Sequence, residues 1–437
     1  MHDKKRIIFL FSCMAIMLTL VGVFQSWNVA LTIFNLCLIS SIMSLGINIQ
    51  WGNAGIVNFG VMGFAALGGL ANILISMPPT NNAWELGGFY IVVGIIIFIT
   101  SIILSVLIWR KTKFNNKIKY FISAFIIIFG YFLMRYLLDP SIEAIEAIEP
   151  AKTGYLGGLN LPILISWPIG GCLAAMAAFI IGKISLGLRS DYLAIATLGI
   201  SEIIIYLLKN EDWLSRGVKN VNGLPRPVPY EIELQSKEWV IEIANWLEFS
   251  LAEISSIIVK LSYSFLFIIT LICIFYLLEV ALKSPWGRMM RAIRDNEISA
   301  NAMGKNIKRR HLQVFIIGSA IIGIAGAMLT TLDGQFTPVS YQPLRYTFLV
   351  WIMVIVGGSG NNFGSIIGGF LIWFFWIEAE PLGLWFLSFI TSNMSDTSIV
   401  KNHLLENAAH IRLMFMGLIL LITLRFAPKG LIPEIKR

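Results

Sequence analysis

Apolar residues along this 437-residue chain come in continuous runs of about twenty, separated by short polar segments and without sustained apolar–polar alternation. Runs of that length match the ~20 residues a helix needs to cross roughly 30 Å of hydrocarbon. The missing two-residue period excludes the strands of a membrane barrel. Helices are predicted over about Ile7–Phe24, Val29–Ile49, Ile56–Ser76, Phe89–Trp109, Tyr120–Leu138, Pro162–Gly182, Tyr192–Leu208, Tyr263–Leu282, Leu312–Leu332 and Ile411–Phe426. Two shorter runs, Tyr346–Val356 and Ser365–Ile377, flank a glycine-rich stretch, Gly357–Gly364, and form either two spans or one broken re-entrant element. The fold class is therefore an all-α polytopic membrane protein with about 10–12 transmembrane helices.

Composition sharpens this picture. Hydrophobic residues make up 57% and charged residues 13%, against about 25% charged in soluble domains, which excludes a water-soluble fold. With twelve crossings, residues 1–6, 110–119, 183–191, 283–310 and 425–437 fall on one side, and they hold 22 of the 33 Lys and Arg but 5 of the 25 Asp and Glu. Basic loops mark the cytoplasmic face, so both termini are placed in the cytoplasm. The net charge of +8 is then an orientation signal beside membrane spans, and no nucleic-acid partner is expected. Lys4, Lys5 and Arg6 before an apolar run resemble a signal peptide, but no A-x-A-like site follows in Gln25–Leu31, and the segment is read as a retained span. Cys13, Cys37, Cys172 and Cys273 lie inside apolar runs with no His nearby, and read as small buried hydrophobes instead of a disulfide or metal set.

The remaining polar mass falls outside, in 77–88, 139–161, 209–256 and 379–410. Glu231–Ile257 interleaves Trp239, Trp246 and Phe249 with glutamates and aliphatics, either an amphipathic interfacial helix or a solvated connector. Enzymatic chemistry is mostly missing: there is no phosphate-binding G-x-x-x-x-G-K-[ST] motif and no metal-ligand spacing among four histidines. Gly358, Ser359 and Gly360 follow a membrane helix, not a strand, so they read as a helix break, tolerated only where backbone faces protein or a water-filled path.

Three features carry the functional reading. In the loop Lys283–Arg310, Ser284-Pro285 stops a span, Asp295 or Asn296 caps a short helix whose Glu297 favours its positive end, and Gly304 ends it. Ala300, with Ser299 and Ala302, would let another protein approach, and Arg288, Arg291 and Arg294 would pair with its acidic rim or with lipid head groups. Ser319, Gly323 and Ala327 recur every fourth residue, a spacing that lets helices pack closely. Glu202 lies near mid-membrane in Tyr192–Leu208, an expensive place for an ionisable group. It reads as a path residue or as a structural carboxylate held by neighbouring helices, and the structural role is the expectation. Thr197 and Ser201 stand nearby, and Asn53 and Asn58 are possible partners or path-lining groups.

Glu297-x-x-Ala300-x-x-x-Gly304, preceded by Gly287-Arg-x-x-Arg-Ala-Ile-Arg294, resembles the coupling loop of ATP-binding-cassette importer permeases, and within them the branched-chain amino-acid (LivM-type) permeases. Further blocks match that family in order: Ser44–Asn48 leading into Trp51–Gly55, Leu188–Gly199 with Glu202, Asn222–Pro227, Gly357–Gly360 and Phe426–Leu431. Ser215–Val221 is bulkier and more basic than the family's glycine-rich stretch, which leaves substrate identity open. The resemblance implies one permease domain over 1–437 in a bacterial inner membrane, with a second permease subunit, two cytoplasmic ATPase subunits that hold the ATP and magnesium, and an external solute-binding protein. The chain itself would carry no cofactor and no catalytic residue. Branched-chain or related amino acids are the expected solutes, urea or short amides the alternative, and an ion-coupled secondary transporter the rival class.

Overall fold

The computed structural model describes residues 2–112, 114–148, 154–392, 394 and 399–434. Its main helices are α1 (His2–Phe24), α2 (Trp27–Ile47), α3 (Val61–Ser76), α4 (Phe89–Lys111), α5 (Asn116–Glu146), α6 (Ile163–Ser185), α7 (Ser190–Asn210), α8 (Leu251–Lys283), α9 (Pro285–Asp295), α10 (Glu297–Ala302), α11 (Ile307–Asp333), α12 (Pro343–Gly357), α13 (Asn362–Ile390) and α14 (Ile411–Phe426). Among the described residues nine helices are long and apolar enough to cross a membrane, and Val400–Glu406 with α14 makes a tenth if that bent pair is one span. α3 and α12 are shorter apolar helices, so every predicted run has its helix.

Two helices organise the bundle. α11 packs against α6, α3 and α2, while α2 also packs against α13, α8 and α12. The reason lies in side-chain size. Gly68 of α3, Gly170 of α6 and Gly323 of α11 converge, so closely that a Cβ on Gly323 would stand 2.6 Å from both the Gly170 carbonyl oxygen and the Ala174 methyl group. Ser319, Gly323 and Ala327 are all buried, and their seam lies within the chain. Lipid tails offer no hydrophobic drive for helix association, so close approach of backbones supplies the dispersion contact.

Polar groups fasten the same crossing. Asn72 of α3 donates to the Ala327 carbonyl at 2.7 Å and to Thr331 Oγ1 at 3.1 Å, and Ser166 of α6 donates to Asn72 Oδ1. By contrast, α4 and α5 pack chiefly on one another and show apolar side chains outward on nearly every turn, such as Ile99, Ile103, Phe125 and Phe129.

Several boundaries differ from the sequence expectation. The glycine-rich stretch separates two helices, α12 and α13, and α13 runs on to Ile390 into the segment assigned outside. α5 likewise continues to Glu146, through Pro140. Glu231–Ile257 is two short helices, Glu231–Gln235 and Glu238–Leu247, followed by the start of α8, because Ser250 and Glu253 form a capping box there. Of the four cysteines only Cys37 is buried; the others lie on exposed helix faces, where apolar character suits lipid as well as a core.

Gly323→Leu should therefore overpack a backbone-to-backbone contact and destabilise by about 1–3 kcal/mol. Thermal unfolding of the purified protein in detergent should show a lower midpoint, and an unchanged midpoint would contradict the close crossing.

Candidate functional site: a basic loop joined to two helix breaks

Loop 283–310 folds as α9 and α10 at right stops set by its sequence. Ser284 caps α9 with Pro285 at its first position, and Asn296, not Asp295, caps α10 by accepting from the Ser299 amide at 2.9 Å. Gly304, with φ of +74°, turns the chain toward α11. α9 buries Gly287, Met290 and Ile293 on one face and so lies along the bundle end. Arg288 is exposed, while Arg291 and Arg294 are half-buried. Ala300 faces inward at 8% exposure, whereas Ile298 and Met303 stand out at 84% and 78%. The small residue therefore seats α10 on the bundle, and two larger apolar side chains occupy the outer surface.

Arg294 is the junction. Its Nη1 donates to the Gly52 carbonyl, and its Nη2 pairs at 3.0 Å with both Glu434 Oε2 and Asp295 Oδ1. Burial opposes its charge, but the hydrogen bonds and charges of Glu434 and Asp295 outweigh that and raise its pKa above the usual arginine value. The guanidinium fork thus ties the loop to two further segments at once.

One of these segments is a helix break, and the other, the C-terminal stretch at Glu434, packs against a second break. After α2 the backbone opens into a wider π-type turn over Asn48–Gly52, then runs irregularly to α3. Between α12 and α13 it breaks at 358–361, where Gly358 and Gly360 have φ of +118° and +83°, conformations that strongly favour glycine. Asn48 bridges the two breaks, accepting from the Gly360 amide at 2.8 Å and donating to Asn362 Oδ1 at 3.0 Å. Asn362 in turn donates to Glu279 of α8 at 3.0 Å. The C-terminal segment seals the second break: the Leu431 and Ile432 amides donate to the Val356 and Gly357 carbonyls at 2.8 and 2.9 Å, and Asn361 donates to the Pro433 carbonyl. Asn48, Asn362, Glu279 and Glu434 were not singled out as site residues in the sequence, because one buried amide or carboxylate near a span end looks like any polar loop flank.

The other expected path residues act as fasteners. Asn58 is fully buried, donates to Gln50 Oε1 at 2.9 Å and accepts from the Gly60 amide at 2.7 Å, while Gln50 donates to the Phe315 carbonyl and Ser319 Oγ. Thr197 Oγ1 accepts from the Phe59 amide at 3.0 Å and Ser201 Oγ from the Gly63 amide at 2.7 Å. Asn53 is buried and donates to the Asn48 carbonyl, leaving its Oδ1 unpaired. Ser359 is half-buried within the second break. Glu202 does not join them. It lies on the exposed face of α7 and makes no hydrogen bond or ion pair among the described residues, so no other part of this chain's described residues holds its carboxyl group.

Toward the opposite end of the bundle a cavity of about 280 Å³ opens between α2, α3, α11, α12 and α13. Ser40, Met62, Asp333, Thr337, Tyr346 and Trp373 are among its walls. Thr337 Oγ1 and Trp373 Nε1, on two of these residues, are buried without a hydrogen-bond partner.

A family model described as the permease component of branched-chain amino-acid transport systems matches residues 29–424. The chain belongs to this permease family. Among its relatives is the high-affinity branched-chain amino-acid transport permease LivM of Escherichia coli K12, 26% identical over 273 residues, which is 61% of this chain and 56% of that protein. A probable LivM of Methanocaldococcus jannaschii is 26% identical over 266 residues, 60% of this chain and 67% of that protein. A probable LivH of the same organism is 28% identical over 110 residues, covering 24% and 34% respectively. The matched stretch thus spans little more than half the length of the Escherichia coli relative. No solved structure matches.

In this permease the junction makes a direct prediction. Arg294→Gln removes the charge shared with Glu434 and should loosen residues 427–434 and the 358–361 break, while the α3–α6–α11 crossing stays intact. Hydrogen exchange by mass spectrometry should show at least tenfold faster amide exchange at Leu431 and Ile432 and no change at Gly323. Equal exchange at all three positions would remove Arg294 from the junction.

Proposed function

We propose that this chain is the membrane-spanning subunit of an ATP-driven importer in a bacterial inner membrane, lying beside a second permease subunit. Two ATPase subunits dock on its basic, cytoplasmic end, and a solute-binding protein delivers to the opposite end. The single observation that carries this reading is the outward pair of Ile298, on a short capped helix of the arginine-rich loop, and Met303, at that helix's C-terminal cap. Exposed apolar side chains on a loop that also exposes Arg288 suit a groove with an apolar floor and an acidic rim better than open water.

ATP and magnesium would be held by those ATPase subunits. Their closure would press on α10, and Arg294 would pass the movement to the breaks after α2 and α12, where the backbone is least constrained by regular helix bonds. Alternating access then follows as rotation of packed helices about these breaks. The walls of the outer cavity, which combine aliphatic, methionine and tryptophan side chains with several hydroxyls, one amide and one carboxylate, support a small neutral or zwitterionic solute, branched-chain or related amino acids first.

Ile298→Asp combined with Met303→Asp should abolish co-purification of the ATPase subunits and cut ATP-dependent uptake of labelled L-leucine by more than tenfold, with normal membrane insertion. Undiminished co-purification would overturn docking at α10.

A further inference from the structure

α7 presents two unlike faces. Leu193, Ala194, Thr197, Ser201, Ile205 and Leu208 are buried, largely against α3. The other face is open: Ile195, Ile203 and Tyr206 are 59–70% exposed, and Gly199 and Glu202 lie among them. At 1.5 Å per residue, Glu202 stands about 18 Å from the first residue of a helix about 30 Å long. Its carboxylate is therefore at membrane depth.

Lipid does not suit that face. Along Phe89–Trp109 of α4 and Leu261–Leu278 of α8 no Asp, Glu, Lys or Arg occurs, and their outward side chains are mostly aliphatic or aromatic, with Thr100 and Cys273 among them. Those are surfaces made for hydrocarbon, whereas an unpaired carboxylate is strongly disfavoured there and normally faces a bundle interior or a water-filled cavity. Gly199 adds a second, independent sign: a Cβ placed there meets nothing within 4 Å, so the chain's own packing does not demand glycine. A bare helix surface next to Glu202 leaves room for the close approach of a helix from outside the chain.

We propose that the free face of α7 is the seam with the second permease subunit, and that Glu202 faces a water-filled path along that seam as the counter-charge for the solute's amino group. This rests on the importer reading above. α7 would then be held by Thr197 and Ser201 on its own side and would offer its carboxylate to the joint space. A single acidic group suits a solute with one ammonium and disfavours a dianion.

The test uses the assembled transporter in membranes. Tyr206 is replaced by photoreactive p-benzoylphenylalanine, and Ile184, 77% exposed on neighbouring α6, is replaced likewise as a control. Illumination should join position 206 to a second permease subunit and position 184 only to lipid. In parallel, Glu202→Gln should reduce labelled L-leucine uptake by at least tenfold while the ATPase subunits still co-purify, and Glu202→Asp should restore part of it. Lipid adducts alone at position 206, or wild-type uptake and KM in Glu202→Gln, would overturn the proposal. A native complex that lacks ATPase subunits or ATP-dependent uptake would instead overturn the importer reading on which it stands.

Discussion

Water cannot reach backbone amides and carbonyls inside hydrocarbon, so every interruption of a helix at that depth must be satisfied by the protein itself. This constraint governs the bundle. The chain leaves regular helix after α2 and again after α12, and at each place buried amide side chains do what water would do in a soluble protein. Asn48 receives the Gly360 amide, Asn58 receives the Gly60 amide, and Asn361 caps α13. Asn58 also links to Gln50, which reaches α11 through Ser319 and the Phe315 carbonyl. Removing one member of such a set leaves a buried donor or acceptor unpaired, at a cost of about 1–3 kcal/mol.

The breaks sit where helices are otherwise least free to move. α2 is enclosed by α11, α13, α8 and α12, and the glycine crossing of α3, α6 and α11 leaves no slack for side chains to rearrange. A rigid centre with two sealed breaks at its basic end concentrates conformational freedom in those breaks. One guanidinium of the basic loop touches the first break, the C-terminal segment and its own helix, while Trp286 ties the loop to Gln313 of α11.

The site's chemistry divides by depth. At the basic end the groups are charged and paired, as in Glu279 with Lys283 and Arg294 with Glu434, because partial contact with water and opposite charges together make ionisation tolerable. In the middle the fastening groups are neutral amides and hydroxyls, which satisfy backbone without the desolvation penalty of a charge. Glu202 breaks that rule, and it does so on the face with the least protein against it.

Much of the fold was legible in the linear pattern. Run length set the helices, the distribution of Lys and Arg set their proposed orientation, and small residues four apart marked the seam that α11 buries, because these properties act locally or repeat along one helix face. The loop's stop at Ser284-Pro285 and a cap at Asp295 or Asn296 were equally legible, since such signals need only neighbours two or three residues away, and the fold chose Asn296. What tertiary structure decided were the matters of facing and partnership. Ala300 turned inward while Ile298 and Met303 turned out, and α13 ran on beyond its apolar core. Thr197 and Ser201 met α3 while Glu202 turned away, and Asn48, separated from Gly360 by more than three hundred residues, came to close its break. A helix presents every residue to some direction, and only the packing of distant helices chooses which direction is protein, which is lipid and which is left open.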